Sequence, residues 1–368
     1  MFLIDGDRIS AVGGMRAGIG DQVIDGHGLV LAPGLIDTQS RLDRGVLTHG
    51  DVLEAARQGI TSVVIGGSGE SVHPLQPLFD SLRRSPTLVN VASYAGHLSL
   101  RAAVLGGDSG RVATPAELTL MRAALSQDLG AGALGLSSAL GLDSAGDAAV
   151  PELIELARLA ADSAARFSGA IRSDRMGAAG IDQLVRIARD ARIPATAFWS
   201  TRRDSLASSG DSLTAALDRA RASGLEVTAA VCVAAQAGFS RIVEWPPTVL
   251  CSGESQHTHY VPSFISELAR IARNRRTLSL EAVIQKSTSL AAAMMGLRDR
   301  GAILPGQFAD LVLFEEGMLS APPSGSSIAS PLGIRAVWVN GVLVYRNGQA
   351  TGAHPGRVLG CGGVSPIR

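Results

Sequence analysis

Leu31-Ala32-Pro33-Gly34-Leu35-Ile36-Asp37-Thr38-Gln39-Ser40-Arg41-Leu42-Asp43 decides how the rest of this 368-residue chain is read. A Pro-Gly break precedes an apolar pair, Leu35-Ile36, and the polar positions Gln39 and Arg41 follow it. A short apolar run bounded by turn residues reads as a strand, here over 34–39. Seven further runs of similar length lie near 61–66, 87–95, 133–138, 169–173, 193–199, 225–233 and 248–252. Many lack polar alternation, as strands buried on both faces do. Stretches of helical periodicity separate most of them. The clearest helix start is Thr114-Pro115-Ala116-Glu117, a capping box with Pro at the first helical position. Eight such units predict an α/β chain of the (β/α)8 TIM barrel type.

The two ends differ from this middle. Residues 1–33 are short, glycine-punctuated and strand-like, and after Ala309 the runs A-D-L-V-L-F-E and V-W-V-N-G-V-L-V-Y follow. Asn340-Gly341 is a strong two-residue hairpin signal. The expected organisation is a small flanking β-sandwich domain built from both chain ends, 1–33 and 308–368, beside a barrel over 34–307. Residues 320–332, rich in Pro, Ser and Gly, read as a loop of that domain.

Composition narrows the function classes. Hydrophobic residues make up 46%, enough for a large core, and 33 basic residues balance 33 acidic ones. No basic footprint points to nucleic acid or an anionic membrane. The start, M-F-L-I-D-G-D-R-I, lacks the n- and h-regions of a secretory signal. The longest apolar stretch, near 227–235, is too short to span a bilayer. Cys232, Cys251 and Cys361 form no C-x-x-C pattern, which suits a reducing cytoplasm. Lys286 is the only lysine, and aromatics are 4%, so platforms for stacking bases are few.

Seven motifs in one order resemble the amidohydrolase superfamily, and more narrowly its N-acyl-D-amino-acid deacylase (D-aminoacylase) branch. They are D-G-D-R-I-S-A-V-G with G-L-V-L-A-P-G-L-I-D, then G-I-T-S-V-V-I-G-G-S-G, A-G-H-L-S-L-R-A-A-V-L-G, A-T-P-A-E-L, G-A-L-G-L-S-S-A-L, L-R-D-R-G-A-I-L-P-G-Q-F-A-D-L-V-L-F and the closing V-N-G-x-x-V. The resemblance covers nearly the whole chain. It implies a barrel with a flanking β-sandwich and zinc-dependent hydrolysis of an N-acyl-D-amino acid, in which the metal polarises the amide carbonyl and activates water. It also implies relatives that begin earlier than Met1, with an initial strand ahead of it.

The ligand positions implied by the resemblance depart from it one after another. The His-x-His pair falls on Gln39 and Arg41, the cysteine on Ser68, and a later histidine on Ala170. The histidine of the next strand falls on Trp199, and the general-base aspartate falls near Gly253. Zinc takes thiolate, imidazole or carboxylate, and a guanidinium repels it. Lys286 lies beyond the last predicted strand, so a carboxylated lysine is not available either. The expectation is a dismantled zinc site with no cofactor. The interval between the seventh and eighth strands is also short where active relatives carry a long insertion, which implies a more open mouth.

Chemistry in such a barrel sits at the C-terminal ends of the strands. Candidate catalytic residues there are His97, Asp174 and His257, with Arg172, Arg41, Ser68 and His259 as candidate substrate contacts. His97 follows the third strand, where it either serves acid–base chemistry or holds its loop by hydrogen bonds. His257 and His259, two apart in Q-H-T-H-Y, share a face if extended and are then the best remaining metal-like pair; the bland reading is exposed loop histidines. Arg172 and Asp174 also share a side, as a carboxylate clamp or as internal ion pairing that closes the vacated metal pocket, including Arg41 with Asp43, Asp174 or Glu70. Ser137-Ser138 reads as loop after the fourth strand. Cys251 is read as a small buried residue rather than half of a Cys–His dyad.

Two functions compete on this reading. One is a catalyst on an amide or related C–N bond that works without zinc. The other is a non-catalytic relative that binds a small carboxylate, an N-acyl amino acid-like ligand or a protein partner. Oligomeric state is left open.

Overall fold

The structure is a computed structural model and describes residues 2–40, 49–106, 110–140, 149–172, 177–200, 210–233, 241–252, 264–273, 278–319 and 333–360. The chain opens with an antiparallel hairpin, β1 (Phe2–Asp5) and β2 (Arg8–Val12), followed by β3 (Val30–Pro33) and β4 (Leu35–Asp37). Helices and parallel strands then alternate: α1 (His49–Arg57), β5 (Ile60–Ile65), α2 (Leu75–Arg84), β6 (Asn90–Ser93), β7 (Ala95–Gly96), α3 (His97–Leu105), α4 (Pro115–Ala131), β8 (Gly135–Leu140), α5 (Ala149–Asp162), β9 (Arg166–Arg172), α6 (Gly177–Ala191), β10 (Ala195–Ser200), α7 (Gly210–Ala222), β11 (Val227–Cys232), α8 (Arg241–Glu244) and β12 (Thr248–Cys251). Three helices follow, α9 (Phe264–Arg273), α10 (Leu280–Lys286) and α11 (Ser289–Met295), and then β13 (Leu311–Phe314), β14 (Ile334–Val339), β15 (Val342–Arg346) and β16 (Gln349–Ala350).

The parallel strands form a three-stranded sheet, β4-β5-β6, and a six-stranded sheet, β7-β8-β9-β10-β11-β12 in sequence order. Tyr94 alone separates β6 from β7, so they read as one interrupted strand. At the other ends, the main-chain N–H of Ser252, just past β12, donates to Asp37 of β4 at 3.0 Å. All eight predicted runs are therefore strands, displaced by no more than three residues. Their full burial follows from helices on one side and a second apolar cluster on the other. On the helix side Leu136, Leu140, Phe167, Ile171, Ala197 and Val231 pack with α2 to α7. On the opposite side Ile36, Val64, Ala92, Tyr94, Phe198, Ala230, Val249 and both described cysteines meet Met294 and Met295 of α11.

The helix α4 begins as its sequence dictates. Thr114 caps the backbone of Glu117, Glu117 returns a bond to the Thr114 N–H, and Pro115 takes the first turn. Ser137 and Ser138, expected in a loop, lie inside β8 instead. The strand runs past the apolar stretch that announced it because its ladder to β9 continues to Leu140.

The chain ends meet in a five-stranded antiparallel sheet ordered β16-β15-β14-β13-β3. The hairpin β1–β2 is a separate two-stranded sheet joined to this region by the Arg8–Phe308 bridge. Asn340 and Gly341 make the β14–β15 turn with φ of 48° and 79°, the left-handed values that a type I′ turn requires. A buried network joins this sheet to the parallel strands. Asp310 accepts from Asn340 N at 2.7 Å and from Asn90 Nδ2 at 3.1 Å, and it pairs with Arg300. The predicted loop 320–332 lies outside the described residues. No described helix is long and apolar enough to cross a membrane.

Candidate functional site

The C-terminal ends of the parallel strands collect polar side chains that the cores below them exclude. Gln39, two residues past β4, is buried and donates from Nε2 to Ser168 Oγ at 3.3 Å. Ser168 passes its own proton to the Gly67 carbonyl at 2.9 Å. The Gln39 amide lies flat on Gly67: a Cβ there would stand 2.1 Å from Gln39 Oε1. A side chain at Gly67 would displace the end of the Gln39 side chain from this seat. Ser137 of β8 completes the arrangement, accepting from Gly69 N at 3.1 Å and donating to Gly66 O at 2.5 Å. Two strand serines and one glutamine amide thus hold the glycine-rich turn after β5 in place. Ser68 sits in that turn, partly buried, and Glu70 beyond it is exposed.

Asp37 lies one step deeper. Its Oδ2 accepts from Ser252 Oγ at 2.6 Å, and its Oδ1 accepts from Ser252 N at 3.0 Å and Gln39 N at 3.4 Å. Burial pushes its carboxyl above the ordinary carboxylate value, against the pull of those three donors.

His97 opens α3 directly after β7 and is 2% exposed. Both ring nitrogens are engaged, Nδ1 with Ser138 Oγ at 3.1 Å and Nε2 with Glu152 Oε1 at 2.7 Å. Glu152, near the start of α5, also receives Arg101 Nη1 at 2.5 and 2.7 Å. Burial raises the Glu152 carboxyl, but the bonds from His97 and Arg101 outweigh it and hold the group below its usual range. Ser138 alternates with Leu136 and Leu140, which belong to the helix-side cluster. The cluster of His97, Arg101, Ser138 and Glu152 therefore stands between strand and helices, on the opposite side of β8 from Ser137.

The remaining predicted positions divide. Ala170 packs against the inner apolar cluster and pairs in register with Phe198. Trp199 pairs with Ile171 and shares its helix-side cluster, so Phe198 holds the place facing Ala170. Trp199 is fully buried, and its Nε1 has no hydrogen-bond partner among the described residues. Cys251 ends β12 and Ser252 follows it, with Cys251 buried in the inner cluster rather than on the rim. Arg172 closes β9, and its side chain lies outside the described set, as do Arg41, Asp43, Asp174, Gly253, His257 and His259. Lys286 ends α10, where its ammonium donates to the carbonyls of Trp245, Pro246 and Thr248 at 2.7, 3.3 and 3.1 Å.

Three participants escape a sequence reading. Ser168 sits between apolar residues in R-F-S-G-A, and only its alternation with Ala170 places it on the inner face. Glu152 follows Val150-Pro151 at a helix start, where a glutamate ordinarily serves the helix dipole. Asp37 stands inside the strand that decides the fold, and its partner Ser252 is more than two hundred residues away.

Known proteins agree with this architecture. Residues 246–345 match the sequence pattern of a group described as the amidohydrolase family. The N-acyl-D-aspartate deacylase of Alcaligenes xylosoxydans xylosoxydans is 32% identical, over 99% of this chain and 91% of the relative. That alignment runs over 457 positions, more than the 368 residues of this chain, so the relative carries stretches that have no counterpart here. A D-aminoacylase structure concerned with that enzyme's binuclear metal centre superimposes with a TM-score of 0.84 at 25% identity, covering 98% of this chain and 95% of the other. The N-acyl-D-glutamate deacylase from Bordetella bronchiseptica, complexed with zinc and a phosphonate inhibitor, gives 0.84 at 23% identity over 97% and 94%, a likeness of fold.

Proposed function

The chain belongs to the amidohydrolase superfamily as a D-aminoacylase-like member, related to the N-acyl-D-amino-acid deacylases, and from that premise we propose that it binds a small carboxylate-bearing, N-acyl amino acid-like ligand in a mouth whose zinc site has been dismantled. On this reading the two parallel sheets close as a barrel over 34–307, and the chain ends, 1–33 and 308–368, form a flanking sandwich. The pocket is then the C-terminal mouth of that barrel.

The observation that carries the proposal is the Gln39 amide, seated on Gly67 and bonded to Ser168. The residues do not fit the metal that the family's chemistry uses. An amide nitrogen turned to a serine offers no lone pair to a cation, Ala170 offers no donor at all, and Phe198 faces Ala170 with a phenyl ring. Among the described residues no group of three or more His, Cys, Asp or Glu side chains is placed to hold an ion. Arg41 would add positive charge beside it. No hydrolytic step is therefore routed through zinc.

Any turnover of an amide or related C–N bond would fall to side chains of the mouth. Arg172 would clamp a carboxylate with Arg41, Ser68 and His259 lining the site, and Asp174 and His257 would handle protons. The alternative, a binder without catalysis, draws support from His97: both its nitrogens are already committed to Ser138 and Glu152.

The test combines a melting-temperature screen with turnover assays on N-acetyl-D-aspartate, N-acetyl-D-glutamate and neutral N-acetyl-D-amino acids, each with and without a strong chelator. The proposal expects a ligand-dependent rise in Tm that saturates and is unchanged by chelation. Turnover that survives the chelator favours the catalytic reading, and its absence favours the binder. No shift with any N-acyl amino acid, or hydrolysis abolished by chelation, would refute the proposal.

A further inference from the structure

Cys232 and Cys251 are the last residues of β11 and β12, and they are partners in the parallel register of those strands. Adjacent strands lie about 4.8 Å apart, inside the Cα separation of roughly 4.4–6.8 Å that a disulfide spans. Both side chains point to the same face, into the apolar cluster that also holds Phe198, Ala230 and Val249. Both are almost completely buried, at 2% and 0% exposure. They sit at the top of that cluster, because the main chain leaves the ladder right after each of them and Ser252, the next residue, bonds Asp37 at the mouth. No role in the proposed ligand chemistry uses this pair.

We propose that Cys232 and Cys251 are a site of reversible oxidative modification, forming an intrachain disulfide that ties the ends of β11 and β12 beneath the mouth. The co-reactant is a small peroxide that reaches them from the strand ends. In the first step the peroxide O–O bond breaks as one sulfur takes up a hydroxyl, giving a sulfenic acid and one water. The second thiol then attacks that sulfur, the S–O bond breaks, and the hydroxyl leaves as a second water with the thiol proton. Two sulfurs are each oxidised by one electron, and the peroxide is reduced by two.

The surroundings select this outcome over a metal bridge. Burial, and then contact with the Cys232 side chain, push the Cys251 thiol up, which disfavours the dithiolate that a metal bridge needs and also makes the peroxide step slow. Side chains that stand parallel on neighbouring strands must draw together to bond.

The experiment uses the full chain carrying Cys361→Ser, since Cys361 lies outside the described residues. Reduced protein is exposed to a few equivalents of hydrogen peroxide, quenched, unfolded, alkylated and weighed intact, then digested without reductant. The expected result is a mass lower by two hydrogens, no alkyl adducts, a Cys232–Cys251 cross-linked peptide and full reversal by dithiothreitol. Cys232→Ser and Cys251→Ser should each abolish the two-hydrogen loss. Two alkylated thiols after oxidation, a sulfinic acid on either cysteine, or a link between chains would each overturn the proposal. The unsubstituted cysteine pair supplies the decisive reading, so it stands even if a serine variant fails to fold.

Discussion

Glu152 shows how one side chain can decide the meaning of another. His97 looks like an acid–base candidate when read from sequence, because an imidazole near a strand end is poised for proton transfer. Both of its ring nitrogens are engaged, by Ser138 and by Glu152. Glu152 binds both His97 and Arg101, three ionisable groups that are almost wholly excluded from water. Removing the carboxylate would leave the Arg101 charge buried without its partner. We expect Glu152→Gln to cost about 3 kcal/mol at pH 7, the scale of breaking a buried ion pair, in urea unfolding. The pH dependence carries a sign. The folded carboxyl lies below its ordinary value of 4.5, so its contribution is present above that value and fades as pH falls through the lower folded one. The gap between wild type and variant should therefore close in acid. A gap that stays constant from pH 7 to pH 3 would mean that Glu152 acts by packing alone.

At the scale of elements, the helix α10 is attached to the loop before β12 through a single ammonium. Lys286 ends the helix and donates to three carbonyls of the turn at Trp245–Thr248, the first of which also accepts from Thr248 N. Lys286→Met keeps the stem's volume and removes the donors, with an expected loss of about 2 kcal/mol. Burial draws the Lys286 pKa down to about 8 from 10.5, so the folded state gives up this proton first. From this group alone, stability rises as pH climbs from about 8 to about 10.5. Thermal unfolding across that window should show the variant without this rise; an identical slope in both proteins would contradict it. The same scale explains what the sequence made legible. Strand positions, the Thr114 cap and the Asn340-Gly341 turn were readable because each depends on residues within a few positions of one another. The face on which Trp199 lies was not, since it depends on the register of β10 against β9. Nor was the seating of Gln39 on Gly67, a contact between the ends of two different strands that no local pattern encodes.

At the scale of the whole molecule, fold and chemistry separate. The fold superimposes on that of a D-aminoacylase with a TM-score of 0.84, and 32% identity to an N-acyl-D-aspartate deacylase over nearly the whole chain places both in one superfamily. The positions that the resemblance assigns to metal are held by groups of other chemistry. Gln39 is seated on Gly67 and bonded to Ser168, and the proposed loss of the zinc site rests on that contact. Fold likeness by itself does not carry function across. The most direct measurement is elemental analysis of protein purified without an affinity tag and dialysed against zinc-free and zinc-supplemented buffer. Zinc far below one equivalent per chain is expected in both. One equivalent retained through dialysis, and lost on Gln39→Ala, would contradict it.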